Sequence, residues 1–250
     1  MKLCRFEKEG NIFYGILEGD EISFLAGEPY DGLRTTGEHA GLGEVKLLAP
    51  TVPKSIVAVG LNYRKHAEEI GMPLVPEPLI FSKFVSSVIN PFEQIVKPDV
   101  CKQLDYEAEL AIVIGRRCCK VKKEEARDYI LGYTCMNDVT ARDLQDMTRQ
   151  WARCKGFDTF SPFGPWVETE VDGDNLHLQA VLNGKVVQDD TTADFIFSTA
   201  ELVEYISGFM TLYPGDIITT GTPGGIGPMK SGDEIKVVIE GIGELVNYVK

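Results

Sequence analysis

The sequence has little positive charge, and this limits what the protein can bind. Its 250 residues carry 25 Lys and Arg against 38 Asp and Glu, which gives a formal net charge of -13. Nucleic-acid binding needs a basic surface that neutralises phosphate groups, so we expect no nucleic-acid partner. A small anionic substrate is still compatible with this composition, because a local cation or a metal ion can attract it.

Long apolar runs are also missing. No stretch approaches the ~20 apolar residues that span a bilayer, and so we expect no membrane association. The first residues, from Met1 to Glu7, reach charged side chains at once and lack the apolar core of a signal peptide. Localisation in the cytoplasm is the expectation that follows.

Cysteine and histidine offer little support for a metal site. The six cysteines form no C-x-x-C pair, and the adjacent Cys118 and Cys119 are poorly placed for a disulfide. We therefore expect reduced thiols, as is usual in the cytoplasm. The three histidines, His39, His66 and His177, are too scattered for the histidine-rich metal site of a cupin.

The composition that remains is typical of a globular protein, with 44% hydrophobic and 25% charged residues. The length suits one large domain, or a large and a small one. Many short strand-like runs and few helical ones predict an α+β fold that is predominantly β, rather than a doubly wound α/β sheet. Prolines and turns near residue 50 predict a boundary between a small N-terminal β domain, 1–50, and the body of the protein, 51–250.

Local patterns predict several elements of this body. Apolar or alternating runs at 55–60, 216–220 and 234–239 are typical of strands, and Asn183-Gly184 predicts the turn of a hairpin over 176–187. Helical composition covers 62–71, which ends on Gly71, and 123–130. A further helix is predicted over 198–207, where Ser198 and Glu201 match a capping box.

Three carboxylates in two strand-like runs are the most informative pattern. Glu107 and Glu109 are one residue apart in an apolar, β-branched run, so on a strand they project from the same face. Like charges beside a buried strand repel each other and lose hydration, unless a cation compensates or their pKa values rise. With Asp138 they would form an all-oxygen site for Mg2+, Mn2+ or Ca2+. A solvated, charged strand face explains Glu107 and Glu109 equally well.

His66 and Glu69 are three positions apart on the predicted short helix, and so they share one face. A carboxylate beside an imidazole fixes its tautomer and raises its basicity, as a general base requires. The alternative is a surface helix on which the two residues are neighbours by chance. Glu68 is a second candidate partner of the imidazole.

Arg142 and Gln145 fall at helical spacing after Asp138, so a helix that begins there would direct both at a bound anion. An exposed helix with ordinary charges is the alternative. The Gly-rich loop at 221–227 lacks the lysine of a phosphate-binding P-loop. Its Thr222 hydroxyl and backbone N–H groups suit a carboxylate, although a plain turn also explains the loop.

Five motifs follow one another along the chain. They are Val59-Gly60-Leu61-Asn62-Tyr63 with His66 and Glu69, Asp105-Tyr106-Glu107-Ala108-Glu109, Gly132-Tyr133-Thr134 with Asn137-Asp138-Val139-Thr140-Ala141-Arg142-Asp143-Leu144-Gln145, Lys155-Gly156-Phe157-Asp158 with Gly164-Pro165, and Thr220-Gly221-Thr222-Pro223-Gly224-Gly225-Ile226-Gly227. In this order they together resemble the fumarylacetoacetate hydrolase family, in its bacterial branch of acylpyruvases and 2-hydroxyhepta-2,4-diene-1,7-dioate isomerase-like proteins. The resemblance covers roughly residues 50 to 250, and residues 1–50 resemble the small N-terminal domain of bacterial members.

The resemblance implies a mixed β-roll that assembles as a homodimer, with a role for each matched residue. The implied metal ligands, usually for Mg2+ or Mn2+, are Glu107, Glu109 and Asp138. The implied water-activating pair is His66 and Glu69, on a segment that orders as a lid in relatives. The positions implied near the substrate oxyanion are Arg142, Gln145 and Lys155. The implied substrate contacts are Asn62, Tyr63 and Thr222.

Two positions depart from the family pattern. The founding eukaryotic enzyme has a further acidic ligand seven residues before the histidine, where this sequence has Val59. Bacterial and mitochondrial acylpyruvase-like members share this loss, which implies that water or substrate completes the metal shell. Phe84 follows Lys83 where relatives usually carry proline.

The resemblance implies a metal-dependent hydrolase that cleaves a C–C bond in acylpyruvate-type 2,4-dioxo acids through a metal-bound enolate. Isomerisation or decarboxylation of 2-oxo-diene dicarboxylates or of oxaloacetate passes through the same enolate and is the first alternative. A non-catalytic metal-binding protein is the second.

Overall fold

The computed structural model describes residues 1–69, 71–146 and 148–250. In these ranges the chain forms twenty strands and three α-helices, joined by short turns of 3-10 helix. The strands are β1 Lys2–Lys8, β2 Asn11–Glu18, β3 Glu21–Leu25, β4 Thr35–Gly41, β5 Lys46–Leu48, β6 Ile56–Gly60, β7 Leu79–Lys83, β8 Val88–Ile89, β9 Gln94–Ile95, β10 Leu104–Tyr106, β11 Ala108–Ile114, β12 Ile130–Asn137, β13 Thr140–Ala141, β14 Ser161–Glu168, β15 His177–Leu182, β16 Lys185–Thr191, β17 Ile217–Thr219, β18 Gly227–Met229, β19 Glu234–Ile239 and β20 Gly243–Val249. The α-helices are α1 Arg64–Glu69, α2 Ala152–Lys155 and α3 Thr199–Phe209.

The largest sheet has the strand order β4-β3-β2-β1-β14-β12-β11-β17-β6-β7, with β5 beside β1 and β8 beside β14. It is a mixed sheet, because β6 and β17 are parallel while β11 pairs antiparallel with both of its neighbours. A second sheet has the order β16-β15-β19-β20-β9, and a third the order β13-β10-β18. The prediction of a predominantly β fold with mixed sheets is therefore confirmed.

Strand β11 lies at the centre of the molecule and is buried along its whole length. Its side chains alternate between two hydrophobic clusters, as the two-residue period of a strand requires. Leu110 and Ile112 belong to the larger cluster, and Ala111 and Val113 to the smaller one on the opposite face. Glu109 has the parity of Ala111, so this buried scaffold fixes the direction of its carboxylate.

The first fifty residues extend the largest sheet. Strand β1 pairs with β14, where Leu3 is the partner of Val167. Leu3 also packs in one buried cluster with Phe163 and Val167 of the body. Hydrogen bonds and apolar packing thus connect this segment to the rest of the chain, and a domain boundary at residue 50 stays a prediction.

Two of the predicted elements match the structure closely. Helix α3 begins after Ser198, whose side chain accepts a hydrogen bond from the Glu201 N–H, while the Glu201 side chain bonds the Ser198 backbone. Strands β15 and β16 form the predicted hairpin, with positive φ at Asn183 (50°) and Gly184 (78°). Such angles are those of a type I′ turn, which Asn-Gly favours.

Three helical predictions need correction. Residues Lys123–Tyr129 form 3-10 rather than α-helix, and among the described residues of the helix predicted over 62–71 the helical ones are Arg64–Glu69, residue 70 lying outside the described ranges. No α-helix begins at Asp138 in this described part of the chain, where β13 leads to a single 3-10 turn, Arg142–Leu144. The physical reason is that Asp138 N–H donates to the Glu107 carbonyl and Arg142 N–H to the Gln103 carbonyl, both at 2.8 Å, which continues sheet-like pairing.

Within the described ranges, none of the helices has the length and apolar character needed to cross a membrane.

Candidate active site

The three predicted acids converge at one end of β11 and β12. Ala108 pairs with Asn137 across these strands, and this register sets Glu107 and Glu109 beside Asp138. One carboxylate oxygen of each acid lies within 4.8 Å of those of the other two. All three side chains are buried. The structure therefore excludes the alternative of a solvated strand face.

Two buried lysines contact this acid cluster. The Lys155 ammonium donates to Glu107 Oε2 at 2.7 Å and to Asp138 Oδ2 at 2.6 Å. The Lys83 ammonium donates to Asp138 Oδ1 at 2.5 Å and to the Lys155 carbonyl at 2.6 Å. Lys83 was not among the predicted site residues. Its position on β7 has no local sequence signal, because its partner Asp138 is 55 positions away.

Arg142 provides a third cation. Its Nε donates to Asp105 Oδ2 at 2.8 Å, and its Nη2 donates to Glu107 Oε1. Its Nη1 donates to Gln145 Oε1 at 2.6 Å. Since the amide oxygen of Gln145 faces the guanidinium, the amide nitrogen is directed away from it and is free of that contact.

The surroundings shift the pKa values of Asp138 and Glu109 in opposite directions. Burial opposes ionisation of Asp138, but Lys155 and Lys83 outweigh it and hold the pKa of Asp138 below its ordinary value. In contrast, burial, together with the charges of Asp138 and Glu107, raises the pKa of Glu109 well above its ordinary value. Glu109 Oε2 accepts hydrogen bonds from the Thr219 hydroxyl and, at 2.9 Å, from the Gly221 N–H.

The residues present fit a divalent metal ion. Octahedral Mg2+ with bonds of ~2.1 Å places neighbouring ligand oxygens ~3.0 Å apart and opposite ones ~4.2 Å apart. The three carboxylate oxygens lie within 4.8 Å of one another, so they are close enough to move onto one ion of this size. A hard cation also prefers carboxylate oxygen. Its charge would compensate Glu109, whose ionised form burial and its acidic neighbours disfavour.

The predicted histidine pair lies over the same cavity. His66 and Glu69 are on α1, with His66 Nδ1 3.2 Å from Glu69 Oε2. His66 is largely buried and lines the cavity together with the three acids. Glu69 lies against Gly224, where a Cβ would overlap its carboxylate. Glu69 rather than Glu68 is thus the imidazole's partner in the structure.

Helix α1 is held at its start by two acidic residues, one on β16 and one in the turn that follows it. Asp194 Oδ2 accepts a hydrogen bond from the Lys65 N–H at 2.9 Å, as a helix cap does. The Lys65 ammonium lies 2.6 Å from Asp190 Oδ1. These contacts fix the position of a helix that is too short to be stable alone.

The Gly-rich loop contacts the acid-bearing strand through Thr222 and Gln188. The Thr222 hydroxyl donates to the Ala108 carbonyl at 2.9 Å and accepts from Gln188 Nε2 at 2.9 Å. Gln188 Oε1 accepts from the Ala108 N–H at 2.9 Å, and its Nε2 also donates to the Pro223 carbonyl at 2.9 Å. The hydroxyl proton of Thr222 is thus committed to the protein backbone. Gln188, on β16, was not predicted from the sequence.

Two predicted substrate contacts, Asn62 and Tyr63, make contacts within the fold. The buried Asn62 amide donates to the Phe197 and Thr220 carbonyls, at 3.1 and 2.8 Å, and its oxygen accepts from the Phe197 N–H. The Tyr63 ring is buried edge-on against Phe195, with centroids 5.0 Å apart. Neither is among the described residues that line the cavity, so a substrate role for them rests on the family resemblance alone.

The cavity that joins these groups has a volume of about 360 Å³. Apolar side chains make up much of its remaining wall, and Val59, at the position of the missing acidic ligand, is one of them. Phe84 lies outside this wall and packs on Gly156. The polar lining residues are His66, Glu107, Glu109, Asp138, Arg142, Gln145, Lys155 and Thr222.

A mostly β fold that buries three carboxylates and an imidazole in one cavity has the composition of a divalent-metal site. Comparison with known families gives two matches. The family described as Fumarylacetoacetate (FAA) hydrolase C-terminal matches residues 55–250, and the family described as Rv2993c-like, N-terminal matches residues 1–50. The chain belongs to the fumarylacetoacetate hydrolase family.

Individual relatives have different activities in their names. A 5-carboxymethyl-2-hydroxymuconate delta-isomerase from Mycobacterium smegmatis is 40% identical, with a TM-score of 0.94 over 100% of this chain and 99% of that one. Oxaloacetate tautomerase FAHD2A, mitochondrial, from Bos taurus is 42% identical over 82% of this chain and 70% of its own. A maleylpyruvate hydrolase from Sphingobium sp. SYK-6, solved with manganese (II) and pyruvate, is 30% identical, with a TM-score of 0.83 over 100% of this chain and 98% of that one. Membership of this family supports an enzymatic function.

Proposed function

We propose that the protein is a divalent-metal-dependent hydrolase that cleaves a C–C bond in acylpyruvate-type 2,4-dioxo acids. One observation carries the proposal, namely that a single cavity brings together a triad of carboxylates, a His–Glu pair and a group of side chains able to donate to an oxyanion. These are the parts that hydrolysis of a carbon–carbon bond next to a carbonyl requires.

Glu107, Glu109 and Asp138 would hold the metal, Mg2+ or Mn2+, although Ca2+ suits the same oxygen donors. When bound, the ion would supply Lewis-acid stabilisation of negative charge that develops on the 2-oxo oxygen of the substrate. The manganese and pyruvate in the structure of the maleylpyruvate hydrolase support this assignment.

His66 would act as the general base. Its Nδ1 bonds to Glu69, which leaves Nε2 to accept a proton from water. The resulting hydroxide attacks the C4 carbonyl, and Glu69 stabilises the imidazolium that forms. Because the carboxylate fixes the tautomer, the free nitrogen is the basic one before the reaction begins.

Arg142, Gln145 and Lys155 would hold the oxyanion formed at C4. The amide nitrogen of Gln145 is directed away from Arg142 and is able to donate to it. When the oxyanion collapses, the C3–C4 bond breaks and its electron pair moves to C3, conjugated with the 2-oxo group. The His66 imidazolium then gives the proton taken from water to C3, which yields pyruvate, and C4 leaves as a carboxylic acid.

Isomerisation, tautomerisation or decarboxylation is the second candidate function. The names of the isomerase and tautomerase relatives favour it. These reactions pass through the same enolate, and the His66–Glu69 pair would then move a proton to or from carbon instead of activating water. Oxaloacetate and 2-oxo-diene dicarboxylates are the substrates to compare.

The test is an assay of acetylpyruvate, oxaloacetate and a 2-oxo-diene with Mg2+, and again after EDTA. We expect pyruvate release from acetylpyruvate that stops when the metal is removed. Changes in ultraviolet tautomer bands or CO2 release, without cleavage of acetylpyruvate, would contradict the hydrolase function and support the second candidate function. Metal binding without turnover of any of these compounds would indicate that the protein binds a metal ion and is not an enzyme for these substrates.

A further inference from the structure

The cavity extends away from the acid cluster along an aromatic wall. The Lys155 ammonium, which contacts Glu107 and Asp138, lies 5.3 Å from the centroid of the Phe81 ring. The Phe81 ring lies 5.2 Å from that of Trp151. Trp151 precedes Lys155 by one helical turn, and its carbonyl accepts the Lys155 N–H at 3.0 Å. A path from the acids therefore passes Lys155 and Phe81 before it reaches Trp151.

Leu79 completes the far end of this wall. Leu79 on β7 is the strand partner of Gly60 on β6. A Cβ at Gly60 would lie 2.7 Å from Leu79 Cδ2 and 2.9 Å from Trp151 Cζ3, so the absence of a side chain there lets both groups approach. Leu79 is 42% exposed and Met72, a further lining residue, is 38% exposed. Apolar surface at the mouth is thus available for burial by a ligand.

The lysine, arginine and carboxylate side chains among the described lining residues lie together at the acid cluster. Among the lining residues that the structure describes, the permanent cations are Arg142 and Lys155, and both are paired with Glu107. A carboxylate placed against Leu79 and Trp151 would lose hydration without gaining a cationic partner. An aliphatic or aromatic group has no charge whose hydration would be lost, and it would bury its own apolar surface against Leu79 and Trp151.

We propose that the substrate is a 2-oxo acid whose tail, beyond the reacting carbonyl, is apolar rather than a second carboxylate, and that Leu79 and Trp151 select it. The inference rests on the proposed function for the metal-binding end of the ligand. It sets this chain apart from the tricarboxylate in the name of the 5-carboxymethyl-2-hydroxymuconate delta-isomerase.

Two stable 2-oxo acids of nearly equal shape test the tail. Isothermal titration calorimetry of the Mg2+-loaded protein compares 5-methyl-2-oxohexanoate with 2-oxoglutarate, in which a carboxylate replaces the isopropyl group. We expect the apolar ligand to bind about tenfold more tightly, the factor that burial of one to two methyl groups gives. Leu79→Lys should shift this ratio by at least about tenfold towards 2-oxoglutarate, because it adds the missing cation. Leu79→Met is the matched control and should keep the native ratio.

Equal or tighter binding of 2-oxoglutarate by the native protein would overturn the proposal, and so would an unchanged ratio in Leu79→Lys. Oxalate, which has no tail, separates this failure from failure of the proposed function. If oxalate binding depends on Mg2+ and 2-oxoglutarate binds more tightly than 5-methyl-2-oxohexanoate, the proposal of an apolar tail is rejected and the proposed function is kept. Absence of Mg2+-dependent oxalate binding would reject the proposed function and the tail with it.

Discussion

His66 is the residue whose proposed role can be separated most cleanly from metal binding. Its imidazole contacts Glu69, while the metal-binding oxygens belong to other residues. We expect His66→Ala to lower kcat for acetylpyruvate by ~100-fold to ~10000-fold, the range for loss of a general base. Its affinity for Mn2+ should stay that of the native protein. A calorimetric titration in which His66→Ala no longer binds Mn2+ would show that the imidazole is a ligand.

Lys83 is a buried cation whose ammonium group contacts protein groups. Burial lowers the pKa of its ammonium, which is nevertheless held by Asp138 and the Lys155 carbonyl. Lys83→Met would leave the Asp138 charge with one cation fewer, and we expect it to lower the free energy of unfolding by ~3–5 kcal/mol. Urea denaturation measures this loss, with Lys54→Met at an exposed position as the control. A difference below ~1 kcal/mol between the two variants would contradict a structural role for the pair.

At the scale of elements, Gln188 joins three of them. Its amide links β16 to the Ala108 backbone of β11 and to Thr222 and Pro223 of the loop. Gln188→Leu leaves the buried Ala108 N–H without its acceptor, which should cost ~1–3 kcal/mol of stability. We also expect a higher KM, because Thr222 loses a fixed partner. Thermal unfolding and steady-state kinetics check both effects, and Gln179→Leu, on the neighbouring strand and less buried, is the control. An unchanged KM would separate the loop from substrate binding.

The elements that the sequence predicted well are those that local interactions determine. The capping box of α3 and the Asn183-Gly184 turn each involve a few neighbouring residues. The helix expected at Asp138 fails because bonds to Glu107 and Gln103, about thirty or more positions earlier, outweigh local spacing. Long-range pairing of this kind is invisible to periodicity.

The residues of the candidate site also fall into those that local spacing predicts and those that long-range contacts determine. The two-residue period was sufficient to direct Glu107 and Glu109 together, and a three-residue helical spacing paired His66 with Glu69. Lys83 and Gln188 were missed because their partners lie 55 and 80 positions away. For these residues only the folded chain reveals the contact.

At the scale of the whole molecule, the N-terminal segment shares its core with the body. Leu3 is buried in one cluster with Phe163 and Val167. We expect Leu3→Ala to lower the free energy of unfolding by ~2–5 kcal/mol, as truncation of a buried leucine does. Ile12→Ala, at a position that is 54% exposed, should have a much smaller effect. Denaturation should remain a single transition in both variants. A separate early transition, confined to Leu3→Ala, would indicate an N-terminal domain that unfolds independently.

Buried charge and surface charge respond differently to ions in solution. The Lys83–Asp138 pair is completely inaccessible, whereas a pair such as Lys46–Glu93 is open to solvent. The chain has a net charge of -13, and the excess negative charge on its surface repels an anion at long range. At 0.1 M salt this repulsion is screened beyond about 10 Å. We therefore expect kcat/KM for an anionic substrate to rise between low and moderate NaCl, with kcat constant, and a falling kcat/KM would contradict this. A change in ionic strength would then alter the rate at which the substrate reaches the cavity. It would not alter the contacts among the buried charged groups.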